Sequence, residues 1–452
     1  MSSSTTSTGP LKRKAFDADS SQPNKTAKKI HPFFTQGTKG LEQSQGSFKW
    51  LKSLGPKSTC LHGVNLEPPS RTKVAFLDLD GTIIKSNLGS KNTSWEWWRP
   101  QVPGALKKLH EDGYSIVIVS NQALKSAALK TWRDKIPSIA ASLSTIPFRL
   151  FAATAKDYYR KPMIGIWMEL KRIFNEDGVE IDQSSSFFVG DAAGRQYAGG
   201  RSDFSGTDRK WALNIGIAFH TPEEWFLGVP VHTNIKLEGF QVSSLPEMPL
   251  YTPTSLPLIP DPRVVEIVLF VGYPSLGKTS FYSRYLKPAG YVHVNQDVLG
   301  SRAKCILGVE QALDQGLSCV VGENHRFVTP FFVRLMFYVP PDNTNRDAQT
   351  RKYYVDLAQK RQVSVRCFHF SGSMELAWHN NLYRAFNMPP SVAAREPKRD
   401  LVPYLAFTSY KGAFEEPELS EGFSEIRKIN WVFEGNEEER RHWSMWMQLE
   451  GR

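Results

Sequence analysis

The chain has 452 residues, 40% apolar and 22% charged, which at about 100–200 residues per domain predicts two to four packed domains and excludes wholesale disorder. No apolar stretch approaches the roughly 18 residues needed to cross a bilayer, and the opening MSSSTTSTGPLKRK lacks the apolar core of a secretory signal peptide. The formal charge of +11 suits a polyanionic partner, and the four cysteines (Cys60, Cys305, Cys319, Cys367) form no C-x-x-C pair, which argues against a disulfide scaffold or a structural zinc site.

The positive charge is concentrated at the start. Residues 1–70 hold ten Lys/Arg against four Asp/Glu, are rich in Ser, Thr, Gln and Gly, and keep neither a helical nor a strand period. A disordered basic tail is predicted over residues 1–65. Within it, Lys12-Arg13-Lys14 and Lys25 to Lys29 have the spacing of a bipartite nuclear signal, so the nucleus is the expected compartment. Immediately after comes Ile30-His31-Pro32-Phe33-Phe34, which resembles the sliding-clamp-binding peptide of replication proteins. Ile30, Phe33 and Phe34 are therefore a candidate contact for such a clamp.

Beyond the tail, apolar runs alternate with helical patterns. Val74 to Leu77, Ile116 to Val119 and Phe187 to Val189 read as buried strands, and Pro103 to His110 and Ile164 to Phe174 as helices. From Pro246 to Pro262 there are six prolines in 17 residues, which can be neither helix nor central strand. Val264 to Phe270, Tyr291 to Val294, Ser318 to Val321 and Val363 to Phe370 then read as strands again. The expected fold class is α/β, two parallel-sheet domains over residues 66–230 and 263–452, joined by a proline-rich linker over 231–262. Site residues should collect at the carboxyl ends of the strands.

The first strand runs into Asp78-Leu79-Asp80-Gly81-Thr82. Two carboxylates two residues apart can share one phosphate and one divalent cation, one attacking phosphorus and the other donating a proton. A calcium loop would need a Glu farther on, which is absent. Other predicted strand and helix ends add Ser120-Asn121-Gln122, Lys161-Pro162 and Gly190-Asp191-Ala192-Ala193-Gly194-Arg195. Singly these read as a cap, a solvated lysine and a turn. In this order they resemble the haloacid-dehalogenase-type phosphatases. Asp203 to Arg209 and Thr221-Pro222-Glu223-Glu224 narrow the likeness to the polynucleotide 3′-phosphatase branch. The resemblance implies Asp78 as nucleophile, Asp80 as general acid, and Ser120 and Lys161 as charge-neutralising groups. It also implies Mg²⁺ held by Asp78, the main-chain carbonyl of Asp80, and Asp191, with Asp208 and Arg195 in support.

Gly272-Tyr273-Pro274-Ser275-Leu276-Gly277-Lys278-Thr279 fits G-x-x-x-x-G-K-[ST] after an apolar strand. Its main chain would wrap nucleotide phosphates, with Gly272, Gly277, Lys278, Thr279 and Ser280 binding ATP and Thr279 reaching Mg²⁺. Asp297 closes the next strand as a candidate base, and Arg384 lies in a candidate lid. With Gly422-Phe423-Ser424, this set resembles the 5′-hydroxyl polynucleotide kinases. The whole order resembles the bifunctional polynucleotide kinase 3′-phosphatases.

The resemblance implies an enzyme that repairs DNA strand-break ends, hydrolysing 3′-phosphates through an aspartyl phosphate and phosphorylating 5′-hydroxyls with ATP. DNA ends are the expected partner, no membrane is involved, and the protein is expected to be a monomer. Two other readings remain open here: a small-molecule phosphatase fused to a metabolite kinase, and an end-binding 3′-phosphatase with an inactive kinase. Two departures from the family pattern stand out. The first 70 residues have no composition for the forkhead-associated domain of the animal members. Residues 322–341 separate Val321 from Asp342-Asn343-Thr344-Asn345, where the family pattern is continuous, and a retained intron is the expected source.

Overall fold

The computed structural model describes residues 47–86, 93–322, 345–395 and 400–447, without the side chains of Gln296 and Asp297. The clamp-like Ile30, Phe33 and Phe34, the basic clusters, most of the 322–341 insert and Asp342 lie outside the described residues. Those described all fall in one compact unit, Gly46–Arg452.

The first sheet contains β1 (Phe48–Trp50), β2 (Cys60–Asn65), β3 (Val74–Leu77), β4 (Ser115–Asn121), β5 (Phe148–Ala153), β6 (Phe187–Val189) and β7 (Ala218–His220). Their spatial order is β1-β2-β5-β4-β3-β6-β7. β5, β4, β3, β6 and β7 run parallel, while β2 pairs antiparallel with β5 and β1 antiparallel with β2. The connecting helices are α1 (Val102–Glu111), α2 (Ser126–Ala141), α3 (Gly165–Glu176), α4 (Thr207–Ile215) and α5 (Pro222–Leu227). β3 is buried on both faces, which is why its four residues read as one unbroken apolar run. Phe76 packs on Trp167 of α3 and Trp211 of α4, and Leu77 on the opposite cluster around α1 and α2.

The expected tail boundary at residue 65 is corrected here. Residues 48–50 and 60–65 are strands that extend the first sheet and so do not belong to a tail. Phe48 packs on Trp50 and Phe148, and Asn65 donates to the carbonyls of Leu143 and Ile146 at 3.1 and 2.9 Å. Those anchors lie about 80 residues away, where local composition cannot register them.

The second sheet contains β8 (Tyr251–Thr252), β9 (Glu266–Val271), β10 (Val292–Asn295), β11 (Cys319–Gly322), β12 (Ser364–Ser371) and β13 (Glu425–Asn430), in the order β10-β11-β9-β12-β13-β8. Only β8, from the proline-rich stretch, is antiparallel, and it sits at the edge where proline is tolerated. The helices are α6 (Lys278–Phe281), α7 (Gln296–Leu299), α8 (Arg302–Asp314), α9 (Ala348–Lys360), α10 (Met374–Leu382), α11 (Pro390–Ala393), α12 (Tyr404–Ala413) and α13 (Glu437–Trp443). π-helical turns at Tyr282–Leu286 and Tyr383–Asn387 extend α6 and α10.

The stretch between the sheets is not a free tether. Lys236 donates to Gly194 O and Gln196 to Asn234 O, both at 2.9 Å, while Phe240, Leu245 and Leu258 pack on the second sheet's core. Asn345 docks against the ends of β9 and β11, its Nδ2 donating to Phe270 O and Val321 O at 3.1 and 3.4 Å. Val321 and Asn345 are therefore neighbours in space although 24 positions apart.

Candidate active sites

Four adjacent parallel strands, β5, β4, β3 and β6, deliver the first site at their carboxyl ends. Asp78 follows β3, Ser120 is the penultimate residue of β4, Lys161 follows β5, and Asp191 follows β6. Lys161 is the centre. Its side chain is 1% exposed, and Nζ donates to Asp78 Oδ1 at 2.7 Å, Asp208 Oδ1 at 2.8 Å and Val119 O at 2.7 Å. All three of its protons are used, so a buried cation is fully compensated.

Gln122 sets the second carboxylate. Its Nε2 donates to Asp80 Oδ2 at 2.7 Å and to Ser120 Oγ at 2.8 Å, which ties the candidate acid to the candidate hydroxyl. Gly81 turns the chain directly after Asp80 at φ +89°, with Asp191's carboxylate where a Cβ would stand. Gly190 likewise leaves its Cβ space to Asp208. A side chain at either position would push the acids apart.

Asp78, Asp191 and Asp208 each offer an oxygen within 4.8 Å of the others. Burial first, then the charges of Asp78 and Asp208, push Asp191 up to about 8. Burial raises Asp208 to about 6 against the pull of Lys161, and raises Asp78 despite the same lysine. Burial disfavours the charge on Lys161, but Asp208 and Asp78 outweigh it and raise its pKa. Three carboxylates thus share one ammonium, a donor set short of positive charge that fits a divalent cation. Asp208 accepts from Lys161 and from Ala192 N–H at 3.1 Å, and Asp78 accepts from the same Lys161 at 2.7 Å, so these two acids share the ammonium.

The supporting residues have distinct jobs. Arg195 pairs with Asp203 at 2.9 Å and Glu223 at 2.7 Å and reaches only the main chain of Asp191. It braces the loop. Thr221 and Glu224 of the T-P-E-E run form a reciprocal cap on α5. Residue-by-residue reading missed Asn121, whose side chain accepts from Lys161 N–H at 2.9 Å and donates to Lys161 O at 3.0 Å. Its place between Ser120 and Gln122 was the available signal.

The second site is built mainly from backbone. Gly272 leaves β9 at φ +146°, against Phe370, and Gly277 enters α6 at φ +84°. Lys278 is buried, with Nζ donating to Gly272 O at 2.6 Å and Tyr273 O at 2.7 Å. Lys278, Thr279, Ser280 and Arg384 border one cavity of about 270 Å³, which Trp431 and Trp443 also line. Arg384 thus lies with the phosphate loop. α7 begins directly after β10, which puts the backbone of Asp297 at a strand end, while its side chain lies outside the described set.

Residues 73–226 match the family described as polynucleotide kinase 3 phosphatase, and residues 267–402 match an AAA domain. Over 385 residues the chain is 35% identical to the bifunctional polynucleotide phosphatase/kinase of Schizosaccharomyces pombe, covering 83% of each chain. This chain belongs to the bifunctional polynucleotide phosphatase/kinase family. It is also 32% identical over 392 residues to a putative bifunctional polynucleotide phosphatase/kinase of Acanthamoeba polyphaga mimivirus, covering 80% of this chain and 85% of that one. The likeness to the polynucleotide 3′-phosphatase ZDP of Arabidopsis thaliana is 33% over 172 residues, covering 34% of this chain and 24% of that one. The two matched regions fall on the two sheets, phosphatase first and kinase second.

Proposed function

We propose that this enzyme prepares broken DNA strands for ligation, removing 3′-phosphates at the first sheet and phosphorylating 5′-hydroxyls at the second. The convergence of Asp78, Asp80, Ser120, Lys161 and Asp191 on neighbouring strand ends carries the phosphatase reading. Asp78 attacks phosphorus and forms an acyl phosphate as the bond to the 3′-oxygen breaks, and Asp80 gives that oxygen its proton. Asp80 then takes a proton from the water that hydrolyses the aspartyl phosphate. Lys161 and the Ser120 hydroxyl face the charge that develops on the phosphoryl oxygens.

Mg²⁺ would be held by Asp78, Asp191 and the main chain of Asp80, and supplies positive charge to the phosphoryl group. In the kinase, Lys278 would exchange its two carbonyl partners for the ATP phosphates, and Thr279 would hold a second Mg²⁺. Asp297 accepts the proton of the 5′-hydroxyl, and Arg384 covers the transferring group.

The basic clusters at Lys12 to Lys14 and Lys25 to Lys29 direct the chain to the nucleus, and Ile30, Phe33 and Phe34 dock a sliding clamp. The enzyme acts as a monomer. Among the described residues no helix is long and apolar enough to cross a membrane. A panel of 3′-phosphorylated and 5′-hydroxyl oligonucleotides against sugar phosphates and free sugars tests the substrate class. Turnover of the oligonucleotides at both ends is expected, and a preference for the small molecules would overturn the reading.

A further inference from the structure

Helix α4 brings more than Asp208 to the phosphatase site. Asp208, Trp211 and Asn214 are spaced three apart on one helical face, and each holds a successive position of the segment that carries the lysine. Asp208 Oδ1 accepts from Lys161 Nζ at 2.8 Å, Asn214 Nδ2 donates to Pro162 O at 2.8 Å, and Trp211 Nε1 donates to Met163 O at 3.1 Å. Asn121 clasps the main chain of Lys161 from the other side.

Asn214 has a second set of partners, 232 positions away. Its Oδ1 accepts from Trp446 N–H at 2.7 Å and its Nδ2 donates to Trp446 O at 2.8 Å. The amide pairs with the main chain at position 446 much as a neighbouring strand would, and both its protons are committed. The flanking residues bury this joint. Met445 packs on the phosphatase core cluster that includes Trp211, and Met447, 1% exposed, packs with Met163 and with Leu382 of α10.

The segment belongs by sequence to the kinase. It follows α13, where buried Trp443 donates from Nε1 to Asn380 Oδ1 at 2.8 Å, and Asn380 donates to Ser275 O of the phosphate loop at 3.2 Å. Simple glue between two domains could sit anywhere on their surfaces. Here it acts on Asn214, which in turn donates to the carbonyl of Pro162, the residue joined directly to Lys161.

We propose that residues 445–447 of the kinase are a working part of the phosphatase site. Paired with Trp446, Asn214 fixes the carbonyl of Pro162 and so holds Lys161 between Asp78 and Asp208. Asn214 touches no reacting atom and is a positioning residue. The inference rests on the reading of Lys161 as the cation that meets the phosphoryl group.

The test compares wild type with Asn214→Ala, a chain ending at Ser444, the two changes combined, and Lys161→Met. A 3′-phosphorylated oligonucleotide gives phosphatase kcat and KM, and 5′-kinase activity on the same preparation is the internal control. Asn214→Ala and the truncation should each lower phosphatase kcat about tenfold, with KM and kinase activity within about twofold of wild type. The combined variant should be no worse than the weaker single one, because both changes break one relay. Unchanged kcat in both single variants, losses that multiply, or kinase and phosphatase falling together would overturn the proposal. A dead Lys161→Met beside intact Asn214→Ala and truncated proteins would reject this inference alone. A fully active Lys161→Met would remove the reading beneath it.

Discussion

The two active sites solve the same problem, holding a phosphoryl group, with opposite materials. The phosphatase site is made of side chains, in which one lysine at 1% exposure serves two buried carboxylates and a carbonyl, and Asn121 and Gln122 fix the members. The kinase site is made of a glycine-framed loop whose carbonyls hold Lys278. A side-chain site concentrates like charge and needs a cation to relax it. A backbone site built round one lysine waits for an anion. The first should therefore respond to pH and metal, and the second to nucleotide.

The sharpest way to break this contrast is to remove one reacting group at a time. Asp78→Asn is nearly isosteric but cannot attack phosphorus, so 3′-dephosphorylation should fall by roughly 10⁴-fold or more while 5′-phosphorylation persists. Lys278→Ala should give the mirror result, on the order of 10²–10³-fold in kinase activity, with the phosphatase intact. Discontinuous end-labelled assays read both. Loss of both activities in either folded variant would show that the sites are not separable.

The next largest effect concerns the insert. Asn345 donates to Val321 O, so described residues on either side of residues 322–341 already lie close. If that sequence is a retained intron, excising it should raise kinase activity severalfold, with the phosphatase and melting temperature steady. A lower melting temperature with lost kinase activity would contradict it, because a genuine packed element costs several kcal/mol to remove.

Metal and pH sharpen the comparison further. Asp191 at about 8 and Asp208 at about 6, against an ordinary 3.8, bind more protons folded than unfolded. Their contribution to stability is fully present below about pH 4 and is lost as pH rises through 6 and 8, by at most about 1.4 kcal/mol per unit of displacement. In chelator, the melting temperature should fall from pH 5.5 to 8.5. Mg²⁺ should flatten that slope, and so should Asp191→Asn. A flat profile without metal would argue against the charge deficit. The smallest expected effect is that of the tail: deleting residues 1–40 should leave both activities within about twofold on short oligonucleotides but reduce nuclear accumulation. Slower turnover would instead assign the tail to DNA binding.

What the sequence made legible follows from burial. β3, β4, β6, β9 and β11 are apolar runs because these parallel strands are covered on both faces, and the site residues stand where such runs stop. β13 was hidden because Arg427, 0% exposed, pairs with Glu425 and donates to Leu256 O and Pro257 O, so a buried strand reads as polar. β1 and β2 were hidden by their position at an antiparallel edge, and Asn214 by looking like an ordinary half-buried helix residue. Partners far along the chain decide all three cases.

The central claim is that one chain carries both end-processing reactions. A duplex with a single nick, bearing a labelled 3′-phosphate and a 5′-hydroxyl, tests it in one reaction with ATP and Mg²⁺. The account predicts release of the 3′-phosphate and labelling of the 5′ end by the same protein, giving a nick that a ligase seals. Dephosphorylation with the 5′-hydroxyl left unmodified at saturating ATP would contradict it.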